Sequence, residues 1–228
     1  GRDTYLFPSP NIPDGFIRME THPGVSLFKG QLPLVRGNSV VRLGETWTAT
    51  SVLSASSRRT GERYGLKDMA GIIIHEQFHI FQRTRHPRWR QNDGLLLRYP
   101  VETAEALFLR RKEKEAFRRA VISEAKTDVA GWAAAALRCR SERLAGLSAP
   151  FVQYENELQR TEGVSDYIER VARGKEPLDA SDITDGIAPA GVRDLGYVEG
   201  RWIAMILDKL RPDWKAVLEK DDSIFLED

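Results

Sequence analysis

Only four histidines occur in the 228 residues, and two of them, His75 and His79, stand four apart with Glu76 directly after the first. They interrupt an otherwise apolar run from Met69 to Gln82. On a helix, positions i and i+4 lie one above the other on the same face, so two imidazoles at that spacing can grip one metal ion. Glu76 projects from the flank of that face, within reach of a metal-bound water and without being a ligand itself. Two ligands, a base beside an open position and one rigid element carrying all three are the requirements of a hydrolytic zinc centre.

Such a centre needs a third protein ligand. His86 stands seven residues after His79, close to Pro87, too far along the axis to share a metal; His22 precedes the motif in a turn-rich segment. A carboxylate is the better candidate. Two downstream segments have Glu-x-x-x-Asp spacing, Glu124 to Asp128 and Glu162 to Asp166. In a helix this lets the Glu bind metal while the Asp, one turn on, accepts a hydrogen bond from a ligand histidine and fixes its tautomer. Glu162 is preferred, because the small Gly163 permits close approach of another helix and Val164, Tyr167 and Ile168 offer an apolar stripe. Glu124 falls at a helix boundary beside Lys126.

His75-Glu76-Gln77-Phe78-His79 together with Thr161-Glu162-Gly163-Val164-Ser165-Asp166 resembles the gluzincin branch of zinc metallopeptidases, the group that includes thermolysin. The uncharged positions Ile73, Gln77, Phe78, Ile80 and Phe81 agree with that motif. The resemblance implies His75, His79 and Glu162 as zinc ligands, Glu76 as general base and Asp166 as hydrogen-bond partner of a ligand histidine. It also implies a zincin-like fold and peptide-bond hydrolysis, with a peptide or protein as substrate. The spacing departs from thermolysin-like enzymes, since more than eighty residues separate His79 from Glu162 and two long helices must fill the gap. The layout is also similar to uncharacterised bacterial proteins with a Glu-Gly-x-x-x-Tyr segment and a later Tyr-x-x-Gly helix ending in Leu-Asp; here these are Glu162-Gly163 with Tyr167, and Tyr197-Val198-Glu199-Gly200 with Leu207-Asp208. A donor that stabilises an oxyanion would complete the site. Tyr197 is the first choice, with Tyr154, Tyr167 and Arg201 competing; Gln82, one turn past Phe78, supports the site or the core.

The elements that must position these residues are read from punctuation and periodicity. Residues 1–40 are rich in proline and glycine, which forbids long helices and predicts short strands. Strands are expected at Phe16–Met19 and Val25–Phe28, and a hairpin pairs Ser39–Leu43 with Thr46–Leu53 across Gly44-Glu45. The second hairpin strand offers an edge to which an extended peptide could add. A polar loop is expected over Ser54–Tyr64, with Arg58, Arg59 and Arg63 exposed. The histidine helix should start near Lys67-Asp68, with Asp68 as N-cap, and end before Pro87. A turn surrounds Asn92-Asp93-Gly94. Further helices are expected at 101–126, 126–144, 151–173, 197–210 and 214–220, with a loop over Gly174–Gly186. The charge run Arg110–Arg119 reads as a solvated face, Gly131–Leu137 as close helix packing, and Trp202, Ile203, Met205, Ile206 and Leu207 as a buried side.

The expected class is therefore α+β, predominantly helical: a single zincin-like domain over 1–228, β-rich in 1–66 and helical with the metal site in 67–228. A net charge of +1, with 29% charged and 41% hydrophobic residues, gives no field for nucleic acid or an anionic membrane. No run approaches the roughly 18–20 apolar residues of a membrane span. Cys139 alone excludes an internal disulfide framework and a thiolate metal cluster. The chain begins Gly-Arg-Asp, as after loss of a tag or a targeting segment, and a secreted or periplasmic setting is favoured over the cytoplasm. Two other readings stand beside a zinc peptidase. One is a zinc-binding protein without proteolysis, against which the intact Glu76 argues; the other is a metal-free helical protein in which the motif is accidental.

Overall fold

The computed structural model of the chain describes residues 3–8, 12–52, 65–100, 103–174 and 189–228. The expected loop over Ser54–Tyr64 and all but Gly174 of that over Gly174–Gly186 lie outside the described residues, as does Leu53. Two compact units result, Gly1–Ile80 and Phe81–Asp228. The division falls inside one continuous helix.

The first unit is where the short strands form. β1 (Thr4–Leu6), β2 (Ile17–Arg18) and β3 (Ser26–Phe28) make an antiparallel sheet in the order β1-β3-β2. β4 (Ser39–Leu43) and β5 (Thr46–Thr50) form the expected hairpin, with Leu43 opposite Thr46. Gly44 turns it at φ +60°, a conformation that glycine adopts without a Cβ penalty. β1 has no counterpart among the expected strands; at three residues it is too short for alternation to register.

The histidine helix, α1 (Leu66–Arg85), begins in the first unit and ends in the second. Asp68 is inside its first turn rather than at the N-cap. Its Oδ2 reaches back to accept the backbone N–H of Gly65 at 3.0 Å, the reciprocal half of a capping box. Arg83 and Arg85 face the negative end of the helix dipole, and Pro87 stands two residues beyond.

The second unit is helical. Asn92 caps the 3₁₀ turn Asp93–Arg98 by accepting from Gly94 N. α2 (Ala104–Ile122) is capped by Thr103, whose hydroxyl accepts from Ala106 N, and α3 (Lys126–Leu144) packs extensively on it. The expected third helix is three pieces: α4 (Ala149–Leu158), a π-helical turn (Gln159–Gly163) and α5 (Val164–Arg173). α6 spans Pro189–Leu210, beginning eight residues before the expected start, and α7 spans Trp214–Lys220. On α6, Trp202, Ile203 and Ile206 are buried as expected, while Met205 and Leu207 are half-buried. A small apolar core of Tyr99, Tyr154, Leu158 and Val192 collects Leu95, Leu96, Leu147 and Phe151 around it. The fold is thus mostly helical with a small N-terminal β part, and among the described residues no helix is long and apolar enough to cross a membrane.

Two expectations about side chains change. Arg110 and Glu113 do not belong to a solvated face: both are buried, in an ionic cluster with Arg140, Arg143, Glu155 and Glu199. Only Arg111, Lys112 and Arg119 of that run are exposed. A helix sequence shows which residues share a face, not which charged face another charged helix covers. Close packing through glycine is found at Gly163, as expected, and also at Gly196 and Gly200; in the Gly131–Leu137 segment Ala136 is buried, but an added Cβ on Gly131 itself would meet nothing within 4 Å.

Candidate metal centre

α1 fixes the first two residues of the site by its own backbone. His75 and His79 lie one turn apart with their Nε2 atoms 3.1 Å from each other. Their rings meet edge to face at 4.8 Å between centroids. Zinc bonds of 2.0–2.2 Å at the tetrahedral angle set two ligand atoms about 3.3–3.6 Å apart, so the histidine pair already has close to the edge length of a metal site. His75 and Glu76 are both buried. Three consecutive β-branched residues, Ile72–Ile74, precede them, so this turn relies on packing more than on helix propensity.

Glu162 lies in the π turn. Widening a helix by one residue displaces backbone carbonyls from their ordinary partners, and here side chains take them over. The Thr161 hydroxyl donates to Glu157 O at 2.7 Å, and the Ser165 hydroxyl and Gln82 Nε2 donate to Thr161 O at 2.7 and 3.0 Å. Gln82, in the last turns of α1, thereby ties that helix to the residue before Glu162. Glycines bring α6 against the same turn. A Cβ on Gly163 would stand 2.5 Å from Gly200 Cα, and one on Gly200 would stand 2.4 Å from Gln159 O. Gln159 is anchored in turn by Arg140 Nη2, donating to its Oε1, and by its own Nε2 donating to Glu199, each at 2.9 Å.

The result is that His75, His79 and Glu162 each offer a ligand atom and these atoms all lie within 4.8 Å of one another. The donor set, two imidazoles and a carboxylate, is one that zinc accepts. The remaining histidines are engaged elsewhere: His86 Nδ1 with Asp222 Oδ1 at 2.8 Å, and His22 with Thr21 at 2.9 Å. Glu124 and Asp128 are outside the group, and both are exposed.

Around Glu162 stand hydrogen-bond donors. Gln91 Nε2 donates to Glu162 Oε1 at 2.9 Å, and the Tyr197 hydroxyl also bonds this carboxylate. Burial first, and then the Glu162 charge, push the Tyr197 phenol above its ordinary range, so it stays a proton donor. Arg193, one turn before Tyr197, bonds the same hydroxyl, with Nη2 3.8 Å from Glu162 Oε1 and Nη1 3.6 Å from Asp93 Oδ1. The Tyr154 hydroxyl is buried with no hydrogen-bond partner among the described residues; burial, then Asp93, pushes it up to about 12.

Tyr167 and Asp166 have further partners on other elements. Tyr167 donates to Asp208 and takes a bond from Lys215, so in this chain the Tyr of the Glu-Gly-x-x-x-Tyr segment bonds the Asp of Leu207-Asp208. Asp166 is ion-paired with Arg201 Nη1. Gln91, Thr161 and Arg193 had no signal in the sequence, because nothing about an isolated Gln, Thr or Arg says which carboxylate it will meet. Comparison with family models, curated proteins and solved structures finds no match to this chain.

Proposed function

We propose that this protein is a zinc-dependent hydrolase of the gluzincin type, acting on peptide bonds, with a zincin-like arrangement of its metal helix. The observation that carries the reading is the grouping of His75, His79 and Glu162 within 4.8 Å, on elements held by Gln82 and the glycines of α6. A divalent metal bound there supplies Lewis acidity, polarising a carbonyl and making water a nucleophile near neutral pH. The chain's own residues do the rest. Glu76, buried beside His75, takes the proton from the attacking water and hands it to the leaving amine. Tyr197, kept protonated by burial, would turn its one hydroxyl hydrogen from the Glu162 carboxylate to the developing oxyanion. Asp166, held by Arg201, orients a ligand imidazole.

The test is metal analysis and then one substitution. Protein supplied with zinc and then desalted should hold about one zinc per chain; less than about 0.2 would sink the site. Glu76→Gln should keep the metal and lose hydrolysis of a mixed peptide library. Unchanged turnover in that variant removes Glu76 from the mechanism.

A further inference from the structure

The π turn raises a question of register. Adding one residue to a helical turn rotates the downstream residues by about 100° relative to an unbroken helix, so the direction of Glu162 depends on the contacts that hold the turn. One side chain contacts two consecutive residues of it. Gln91, half-buried in the segment between α1 and the 3₁₀ turn, donates from Nε2 to Glu162 Oε1 at 2.9 Å, and its Oε1 accepts from the Thr161 hydroxyl at 2.7 Å. The two bonds fix the amide's orientation. Reversed, it would set a carbonyl oxygen against a carboxylate oxygen. Thr161 is held from another direction too, since its carbonyl accepts Gln82 Nε2 at 3.0 Å. Gln82 lies three residues after His79, and Thr161 lies one before Glu162.

We propose that Gln91 and Thr161 are positioning residues for the metal, Gln91 fixing which oxygen of Glu162 is turned to the ion and Thr161 fixing Gln91. This rests on the reading of Glu162 as a ligand. The amide hydrogen on Oε1 sets how the carboxylate is turned. The neutral amide suits the task. It orients Glu162 without adding to the positive charge that Arg193 Nη2 already brings to 3.8 Å from the same oxygen. Thr161 acts through Gln91: its single hydroxyl hydrogen has two acceptors at 2.7 Å, Gln91 Oε1 and Glu157 O, so it serves both the register of the turn and the amide.

The experiment is zinc affinity by competition with a chromophoric chelator, with the melting temperature of the metal-free protein measured alongside. Gln91→Ala and the volume-conserving Gln91→Met should each weaken zinc binding by about 10–100-fold and leave the metal-free melting temperature within about 2 °C of the wild type, since one half-buried amide contributes little to the fold as a whole. Thr161→Val should weaken zinc binding as well, and Thr161→Ser should restore it. Wild-type affinity in both Gln91 variants, or a loss in Thr161→Val that Thr161→Ser does not reverse, overturns the proposal while leaving the metal site standing. Failure of the wild type to take up zinc overturns the metal reading and the proposal together.

Discussion

Glu199 offers a quantitative test of how the second unit holds its buried charge. It lies on α6, 1% exposed, among Arg110, Arg140, Arg143 and Glu113. Its Oε2 accepts Gln159 Nε2 at 2.9 Å and stands 3.5 Å from Arg140 Nη1, while Oε1 is buried without a hydrogen-bond partner among the described residues. Burial, and after it the negative charge of Glu113, pushes its carboxyl up to about 7 against the pull of the three arginines. A carboxyl whose folded value is raised binds a proton that the unfolded chain has released. Its contribution is therefore complete below pH 4.5 and is lost as the pH rises through 7. At 1.36 kcal/mol per pH unit, the gap between those values is about 3 kcal/mol. Glu199→Gln keeps an acceptor for Gln159 and cannot ionise. In urea unfolding monitored by circular dichroism from pH 4.5 to 8, the variant should gain about 3 kcal/mol on the wild type across that range, as a midpoint shift at constant slope. A flat difference would mean that Arg140 holds the carboxylate ionised, and the reasoning from burial would be refuted.

Other outcomes are expected from the same geometry. Gly200→Ala drives a Cβ to within 2.4 Å of Gln159 O and 2.8 Å of Gly163 Cα; backbone cannot step aside as a side chain can, so a loss of about 1–3 kcal/mol or more is expected in thermal unfolding. Gly131→Ala, entering empty space in a helix interior, should instead gain about 0.5–1 kcal/mol. Glu155 accepts from Arg143 Nη1 and Nη2 at 2.9 Å each, with Arg110 at 3.3 Å and the Tyr99 hydroxyl also on it. Burial alone would raise its carboxyl, but the arginines hold it well below the usual range. Glu155→Gln should cost about 3–5 kcal/mol near neutral pH by stranding those arginines, and the difference from wild type should shrink as the pH falls below about 4.5. Glu162→Ala should abolish tight zinc binding in a competition assay and Glu124→Ala should leave it intact; equal loss in both would remove Glu162 as the third ligand.

How much of the fold and site is legible before folding depends on whether the information is local. The hairpin Ser39–Leu43 with Thr46–Thr50, α3 at Lys126–Leu144 and α7 at Trp214–Lys220 are legible because caps, prolines, glycines and periodicity act over a few residues. The start of α1 is less so, since Asp68 can cap from inside the first turn as well as before it. The burial of Arg110 and Glu113 is illegible because their compensating charges come from α3, α4 and α6: Arg140 stands 27 residues after Glu113, and Glu155 stands 45 after Arg110. The π turn is illegible too. Gln159–Gly163 has no composition that separates it from an α-helical turn, and its extra residue is stabilised by Gln82, Ser165 and the glycines of α6.

By itself, the sequence determined that His75 and His79 share a helix face with Glu76 beside them. A spacing of four residues and a turn of 3.6 leave no other arrangement once the helix forms. It also supplied Gly163, Gly196 and Gly200, without which α6 could not reach the turn carrying Glu162. The tertiary structure decided which of two equally spaced carboxylates stands with the histidines, and that Tyr197 and Gln91 point at it. The reason is physical: the position of Glu162 is the sum of a π insertion, a glycine contact and a bond from Gln82 to Thr161, and the last two join residues far apart in the chain. None of these leaves a trace in spacing.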